Sequence, residues 1–200
     1  MAGIASFAPG AATARAPRSG AGLAVSIRRV QAHDDGLIDE FVRALSPASR
    51  QRRFHAGIRE LPPSWLQRMT HPDACHELAL VAMASLEART VCVGEARYVL
   101  GNDMAGEREF ALAVADDWQG QGIGRTLLHS LGRHAARHGV DRLVGDVLRD
   151  NLPMIELARG LGYAVGRHPA DPRLLRVERS FVGLPSAQRR RGRPCQPSFI

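Results

Sequence analysis

The stretch from Glu109 to Arg125, E-F-A-L-A-V-A-D-D-W-Q-G-Q-G-I-G-R, constrains this chain more than any other. An apolar strand of buried type runs into a tight loop carrying Gly120, Gly122 and Gly124. The loop opens a helix whose Ile123, Leu127, Leu131 and Ala135 fall on one face. Glycines let a backbone approach a ligand closely, successive N–H groups point outward, and a helix N-terminus adds partial positive charge. Such a loop is an anion site, and the ligand it fits is a phosphate or pyrophosphate. A G-x-G-x-x-G dinucleotide fingerprint does not fit, because counting from Gly120 ends on Arg125 and counting from Gly122 ends on Leu127. The loop also lies past mid-chain, whereas a dinucleotide loop follows an early first strand. A turn that merely joined strand to helix would not need three spaced glycines.

Composition narrows the remaining classes. The chain has 200 residues, about one domain's worth, and its 44% hydrophobic and 24% charged residues are those of a globular protein. No apolar run approaches the ~18 residues of a membrane span, so no membrane role is expected. All 27 basic residues are Arg. The absence of Lys removes P-loop phosphate binding and Schiff-base chemistry. The net charge of +7 points toward nucleic acid until its distribution is examined. Arg15 and Arg18 lie in an acid-free segment 1–24, and Arg189, Arg190, Arg191 and Arg193 in an acid-free segment 182–200. Between them, 21 Arg face all 20 acids, so a broad phosphate-binding face is disfavoured. Arg191-Gly192-Arg193-Pro194 matches the core of an AT-hook, which lies in the minor groove of A·T-rich DNA. As four residues inside a basic tail it reads first as solvated chain, and nucleic acid is not expected as a partner.

Cys75, Cys92 and Cys195 are odd in number, widely spaced and match no thiolate metal site, as expected of free thiols in a reducing, cytoplasmic setting. The Ala-, Gly- and Pro-rich N-terminus lacks the pattern of a secretory signal, and its Arg-bearing, acid-free character only faintly resembles an organelle-targeting segment. No metal is expected. His134 and His138 sit one helical turn apart but read as solvated positions of a surface helix, and His71, Asp73, Cys75 and His76 mix ligand types in a loop. Trp118, beside the glycine loop, reads as a hydrophobic wedge. Asp116 and Asp117 stand close to the expected phosphates, which is unfavourable unless they point away.

Strand and helix signals alternate without internal repeat. Strands are expected at Val25–Val30, Leu78–Met83, Val91–Leu100, Phe110–Ala115, Val140–Leu148, Tyr163–Gly166 and Leu174–Phe181. Helices are expected from about His33 to Leu45, after Ser46-Pro47 as cap and first turn, from Gly122 to about His138 with Gly139 at the stop, and over Leu152–Arg159. Several adjacent strands precede the helix-rich second half, so the sheet should be mixed, in an α/β (α+β) domain over 25–181 between disordered tails at 1–24 and 182–200.

Gln119-x-x-Gly122-x-Gly124 after a Leu112-x-Val114 strand resembles the coenzyme A pyrophosphate loop of the GCN5-related N-acetyltransferase (GNAT) family. Asn151-Leu-Pro-Met-Ile-Glu-Leu-Ala-Arg-Gly-Leu-Gly162-Tyr163, one strand later, is similar to that family's second signature. Leu45-Ser-Pro-Ala-Ser-Arg with Arg53-Phe54, Glu77-Leu-Ala-Leu-Val-Ala, Val93-Gly94-Glu-Ala-Arg97-Tyr98 and Glu109-Phe110-Ala111 resemble the acetyltransferase domains of bacterial protein lysine acetyltransferases. Such domains are often fused to a synthetase-like or cyclic-nucleotide-binding module, and neither fits in these 200 residues. Regulation of that kind is expected to be absent or supplied in trans.

The resemblance implies a mostly antiparallel, V-splayed sheet flanked by helices, the acyl-CoA N-acyltransferase fold, with acetyl-CoA as cosubstrate. It implies that the backbone of Leu112, Ala113 and Val114 pairs with the pantetheine arm, with a donor to the thioester oxygen near Val114. Gln119, Gly120, Gln121, Gly122, Ile123, Gly124 and Arg125 would wrap the pyrophosphate, and Asn151 would touch the coenzyme arm unless it is only a helix cap. Glu109 would be the general base that an ammonium acceptor needs, unless it is a strand-end partner of Arg97 or Arg108. Where many relatives carry a Tyr as acid toward the leaving thiolate, this chain has Ala158. The acceptor implied is a protein lysine, with a small amine such as an antibiotic or polyamine, or a non-catalytic coenzyme-binding or DNA-tethered regulator, as alternatives.

Overall fold

The computed structural model describes residues 14–15, 24–56, 58, 60–73, 76–86, 89–100 and 106–182. The AT-hook match, Cys75 and Cys195 lie outside them, as do the tails apart from residues 14–15, 24 and 182. Eight strands form one sheet: β1 (Ala14–Arg15), β2 (Val25–Arg29), β3 (Leu78–Leu86), β4 (Arg89–Leu100), β5 (Glu107–Val114), β6 (Arg142–Leu148), β7 (Ala164–Arg167) and β8 (Leu174–Ser180). Their order is β1-β2-β3-β4-β5-β6-β8-β7. All neighbours are antiparallel except β5 and β6. The mixed sheet of the sequence reading is therefore present, and the helices cover both faces.

On one face lie α1 (Asp35–Ala44), α2 (Pro47–Phe54) and α3 (Pro63–Thr70), over a core that includes Ile38, Phe41, Val42, Ala79, Val81 and Met83. On the other lie α4 (Ile123–Arg137) and α5 (Leu152–Arg159). The predicted face of α4 is the buried one: Ile123, Leu127, Leu131 and Ala135 are each at most 1% exposed. Burying each Leu is worth roughly 1.5–3 kcal/mol, which fixes the helix and with it the loop at its start.

The parallel pair β5–β6 is the feature that makes a site. It is in register at Glu107–Arg142, Arg108–Leu143 and Glu109–Val144 only, although both strands run on. Beyond that point the strands part. Phe110 fills the start of the gap; a Cβ on Gly145 would stand 2.7 Å from its ring, so only glycine allows β6 this approach. The ring meets Tyr163 edge-on at 5.6 Å between centroids.

Three features differ from the sequence expectation. Helix α3 has no counterpart in it, because Pro63-Ser-Trp-Leu-Gln-Arg-Met-Thr offers little apolar periodicity and announces itself only through Pro in the first turn. Ala14 and Arg15 pair with Ile27 and Ser26 of β2, inside the segment read as tail. His134 is not solvated: the Tyr98 hydroxyl lies 2.8 Å from its Nδ1, Arg29 lies 2.7 Å from Nε2, and the ring stacks on His138 at 3.7 Å. Burial, with His138 and Arg29 beside it, pushes the imidazole down to about 3. Facing an arginine, it is a neutral acceptor that ties α4 to the sheet. Among the described residues no His, Cys, Asp and Glu cluster could hold a metal ion, and no helix is long and apolar enough to cross a membrane.

Candidate active site

Two cavities open where β5 and β6 part. One, of about 440 Å³, runs from the end of β5 to the start of α4 and along α5. Its walls include Leu112, Ala113, Val114, Gln119, Gly120, Gly122, Ile123, Gly124, Arg125 and Asn151, the expected coenzyme contacts with one exception. Gln121 is not in the wall: its amide nitrogen turns away to donate to the Asp117 carbonyl at 3.1 Å.

The backbone of β5 supplies donors to this cleft. Ala115 N–H bonds the Val93 carbonyl at 3.0 Å, and β4 and β5 are in register from Gly94–Val114 back to Leu100–Arg108. Bonded and non-bonded pairs alternate along an antiparallel ladder. Ala111 and Ala113 therefore spend their backbone groups on β4, while Leu112 and Val114 turn theirs toward the gap left by β6. The Val114 carbonyl accepts from Gln119 Nε2 at 3.0 Å, which folds the loop back against the strand.

The start of α4 completes the cleft. Gly120 and Gly122 have φ of +72° and +81°, where a side chain is strained, and Gly122 is the N-cap with no side chain bonding the first-turn amides. No acid lies in that turn, and Arg125 stands in it with Nη2 on the Gly160 carbonyl. Uncapped amides, glycine at the approach and a guanidinium fit a pyrophosphate. Asp116 does not oppose it, since its carboxylate accepts from Ser46 N–H (2.9 Å), Ser46 Oγ (2.8 Å) and Ser49 Oγ (2.8 Å). Burial nudges that carboxyl up, but these bonds outweigh it and hold it below its ordinary value. The aspartate that had no account in the sequence is thus a brace between the loop and the start of α2. Trp118 packs on the core as a wedge. Asn151 both borders the cleft and caps α5, accepting from Met154 N–H at 3.4 Å.

The second cavity, of about 390 Å³, lies on the α1–α3 side of the sheet. It shares Arg52, Arg53, Leu112, Asn151 and Met154 with the first, so the two meet at β5. Glu109 opens onto it from the last position at which β5 pairs with β6, level with Val99 of β4 and Val144 of β6. Neither expected alternative partner holds it: Arg108 donates to the His76 carbonyl, and Arg97 is committed elsewhere. Ala111 follows on the same face and leaves room.

Sequence reasoning missed two side-chain groups here. Glu95 is fully buried and bonds Arg97 Nε at 2.6 Å and Arg53 Nη2 at 3.0 Å, while Arg97 also donates to the Arg68 and Met69 carbonyls of α3. Burial pushes the Glu95 carboxyl up, but Arg97 and Arg53 outweigh it and hold it below its ordinary value. The cluster ties α2 and α3 to β4 and so sets the far wall of the cavity. Asp146, on β6, is held by Arg176 Nε at 2.8 Å and His168 Nε2 at 3.2 Å. His168 Nδ1 accepts the amides of Asp171 and Ala170, and its Nε2 lies 3.2 Å from both Asp146 and Arg176 Nη2. Ala158 is fully buried and offers no acid.

A model of the acetyltransferase (GNAT) family matches residues 40–163, which takes in α2–α5, strands β3 to β6 and the α4 loop. The chain belongs to the GNAT acetyltransferase family. It is an N-acetyltransferase that uses acetyl-CoA. It is 31% identical over 150 residues to acetyltransferase PA5475 of Pseudomonas aeruginosa, covering 75% of this chain and 80% of that one. The fold is that of the GNAT domain of S. lividans PAT, with a TM-score of 0.71 at 24% identity over 80% of this chain and 92% of that domain. It is also similar to yncA, a putative acetyltransferase from Salmonella typhimurium solved with its cofactor acetyl-CoA. There the TM-score is 0.63 at 21% identity, over 78% of this chain and 94% of that one.

Proposed function

We propose that this acetyltransferase acts by direct transfer to the side-chain amine of a protein lysine in a ternary complex, with Glu109 as general base. One observation carries the reading: the glycine-loop cleft and the second cavity meet at β5, and the carboxylate that opens onto the second has no partner among the described residues. The amides at the start of α4 and Arg125 hold the pyrophosphate. The backbone of Leu112 and Val114 receives the pantetheine arm, and Val114 N–H donates to the thioester oxygen as charge grows there. Glu109 takes the ammonium proton, directly or through one water, because a lysine of pKa about 10.4 is protonated at neutral pH. The nitrogen lone pair then closes on the carbonyl carbon, the C–S bond breaks with its pair leaving on sulfur, and the second proton of the nitrogen passes to the thiolate or to water. A thiol of pKa about 8.5 can depart as thiolate, so Ala158 in place of an acid is tolerable. The setting is reducing and cytoplasmic; Cys92 is a free, buried thiol, which burial pushes up to about 12 and keeps inert.

Thiol release from acetyl-CoA, measured with lysine peptides, polyamines and aminoglycosides side by side, tests this reading. Turnover on lysine peptides well above that on the small amines is expected. Turnover confined to a small amine would replace lysine as the acceptor, and no release with any amine would leave a binding protein. The chain itself has no lysine, so acetyl counted on lysine belongs to the acceptor.

A further inference from the structure

The charged groups around the second cavity are not all spoken for. Glu95 engages Arg53 and Arg97, and Asp146 is engaged by Arg176 and His168. Of the remainder, Glu109 stands on β5, Arg68 of α3 lines this cavity alone and Arg52 of α2 lines both cavities, and neither arginine has a carboxylate partner among the described residues. Arg68 is exposed and Arg52 half-buried. On the same wall, Trp65 is 41% exposed, a large apolar side chain left on the surface, and it leans on Phe54 with ring centroids 6.2 Å apart. Both rings line the cavity, and Arg53 lies over the Phe54 ring at 4.8 Å.

Each part asks for a different piece of the acceptor. An unpaired carboxylate in the cavity that joins the coenzyme cleft suits an ammonium. An exposed aromatic wall suits the four-carbon stem behind it. Two unpaired guanidiniums on the α2–α3 wall suit carboxylates, which they grip in forked pairs, and repel cations. A polyamine would bring further positive charge to that wall.

We infer that the acceptor of this enzyme is a lysine flanked in its own chain by Asp or Glu, read by Arg52 and Arg68 beside the Phe54–Trp65 wall. The inference rests on the lysine reading above and adds its specificity. Glu109 takes the target amine, and the arginines select its neighbours. Both arginines lie within reach of solvent, so the selectivity is expected to weaken with salt.

The test uses the full chain and three peptides that differ only beside one central lysine: Asp/Glu flanks, their Asn/Gln isosteres, and Arg flanks. Initial rates at low ionic strength give kcat/KM for each. The acidic peptide should lead the amide peptide by about three- to thirtyfold, the range expected for one or two partly sheltered ion pairs, and the lead should shrink at high salt. Arg68→Glu should remove most of that lead and raise kcat/KM for the Arg-flanked peptide, with KM for acetyl-CoA and thermal stability unchanged. Equal kcat/KM on all three peptides, or an Arg68→Glu variant with the same ranking as the parent, overturns the inference and leaves the lysine reading standing. No turnover of any peptide, with turnover of a small amine, overturns both together.

Discussion

The two cavities that meet at β5 are built from different material. The coenzyme cleft is made of backbone: the outward amides of Leu112 and Val114, the uncapped start of α4, and glycines held at positive φ. The acceptor cavity is made of side chains brought from α2, α3, β4, β5 and β6. A site made of amides and glycines must be written as one contiguous motif, because a loop can present successive N–H groups only from successive residues. A site made of side chains carries no such constraint. On the proposed reading the first takes the coenzyme and the second the acceptor.

The comparison predicts that damage to one half spares the other. Glu109→Gln keeps shape and polarity but removes the proton acceptor, so turnover on a lysine peptide should fall about 10²- to 10⁴-fold while calorimetric affinity for acetyl-CoA stays near that of the parent. Gly122→Asp puts a side chain and a negative charge where the pyrophosphate is held. It should weaken acetyl-CoA about a hundredfold or more, abolishing the thermal shift the coenzyme gives the native protein, and leave the fold intact. Loss of coenzyme affinity in the first variant, or its retention in the second, would break the division.

A smaller effect tests how the acceptor wall is held. Glu95→Ala leaves Arg53 and Arg97 buried without their carboxylate, which should cost about 3 kcal/mol, or roughly 6–12 °C in Tm for a chain of this size. The smallest effect concerns the brace at the loop. Asp116→Asn should cost about 1 kcal/mol. Because the folded carboxyl titrates below its ordinary value, its contribution is full above about pH 4 and lost as pH falls through the folded value. The parent should thus lose more stability than the variant on acidification below pH 4, measured by denaturant midpoint, and parallel pH curves would show that the brace carries no charge linkage.

What could be read from the sequence follows the same division. The α4 face, the extent of α5 over Leu152–Arg159 and the gathering of ten of the eleven proposed coenzyme residues around one cleft are local patterns, visible in a few consecutive residues. Gln121 shows the limit: the loop's path was legible, but the direction of its side chain depends on Asp117. The Glu95 cluster was not legible because only Arg97 is near in sequence, and Arg53, which completes it, lies 42 residues away on α2. His134 was misjudged because its partners, Arg29 and Tyr98, are 105 and 36 residues away. For Asp116 only the need to point away was legible, since Ser46 and Ser49, which hold it there, are 70 and 67 residues away. Helix α3 was invisible because what holds it is tertiary: Arg97 binds the carbonyls of Arg68 and Met69 from another strand.

The central claim is that an unpaired carboxylate on β5 deprotonates an amine held where two cavities meet. The most direct test is the pH dependence of lysine-peptide turnover at saturating acetyl-CoA, for the parent and Glu109→Gln under conditions where chemistry limits the rate. If Glu109 is the base, the logarithm of the variant's rate should climb with a slope near one toward the lysine pKa of about 10.4, because only amine already deprotonated can react, and the parent should be much flatter. Two superimposed profiles, with the variant retaining nearly full turnover, would contradict the account and make the site a device that only holds thioester and amine together.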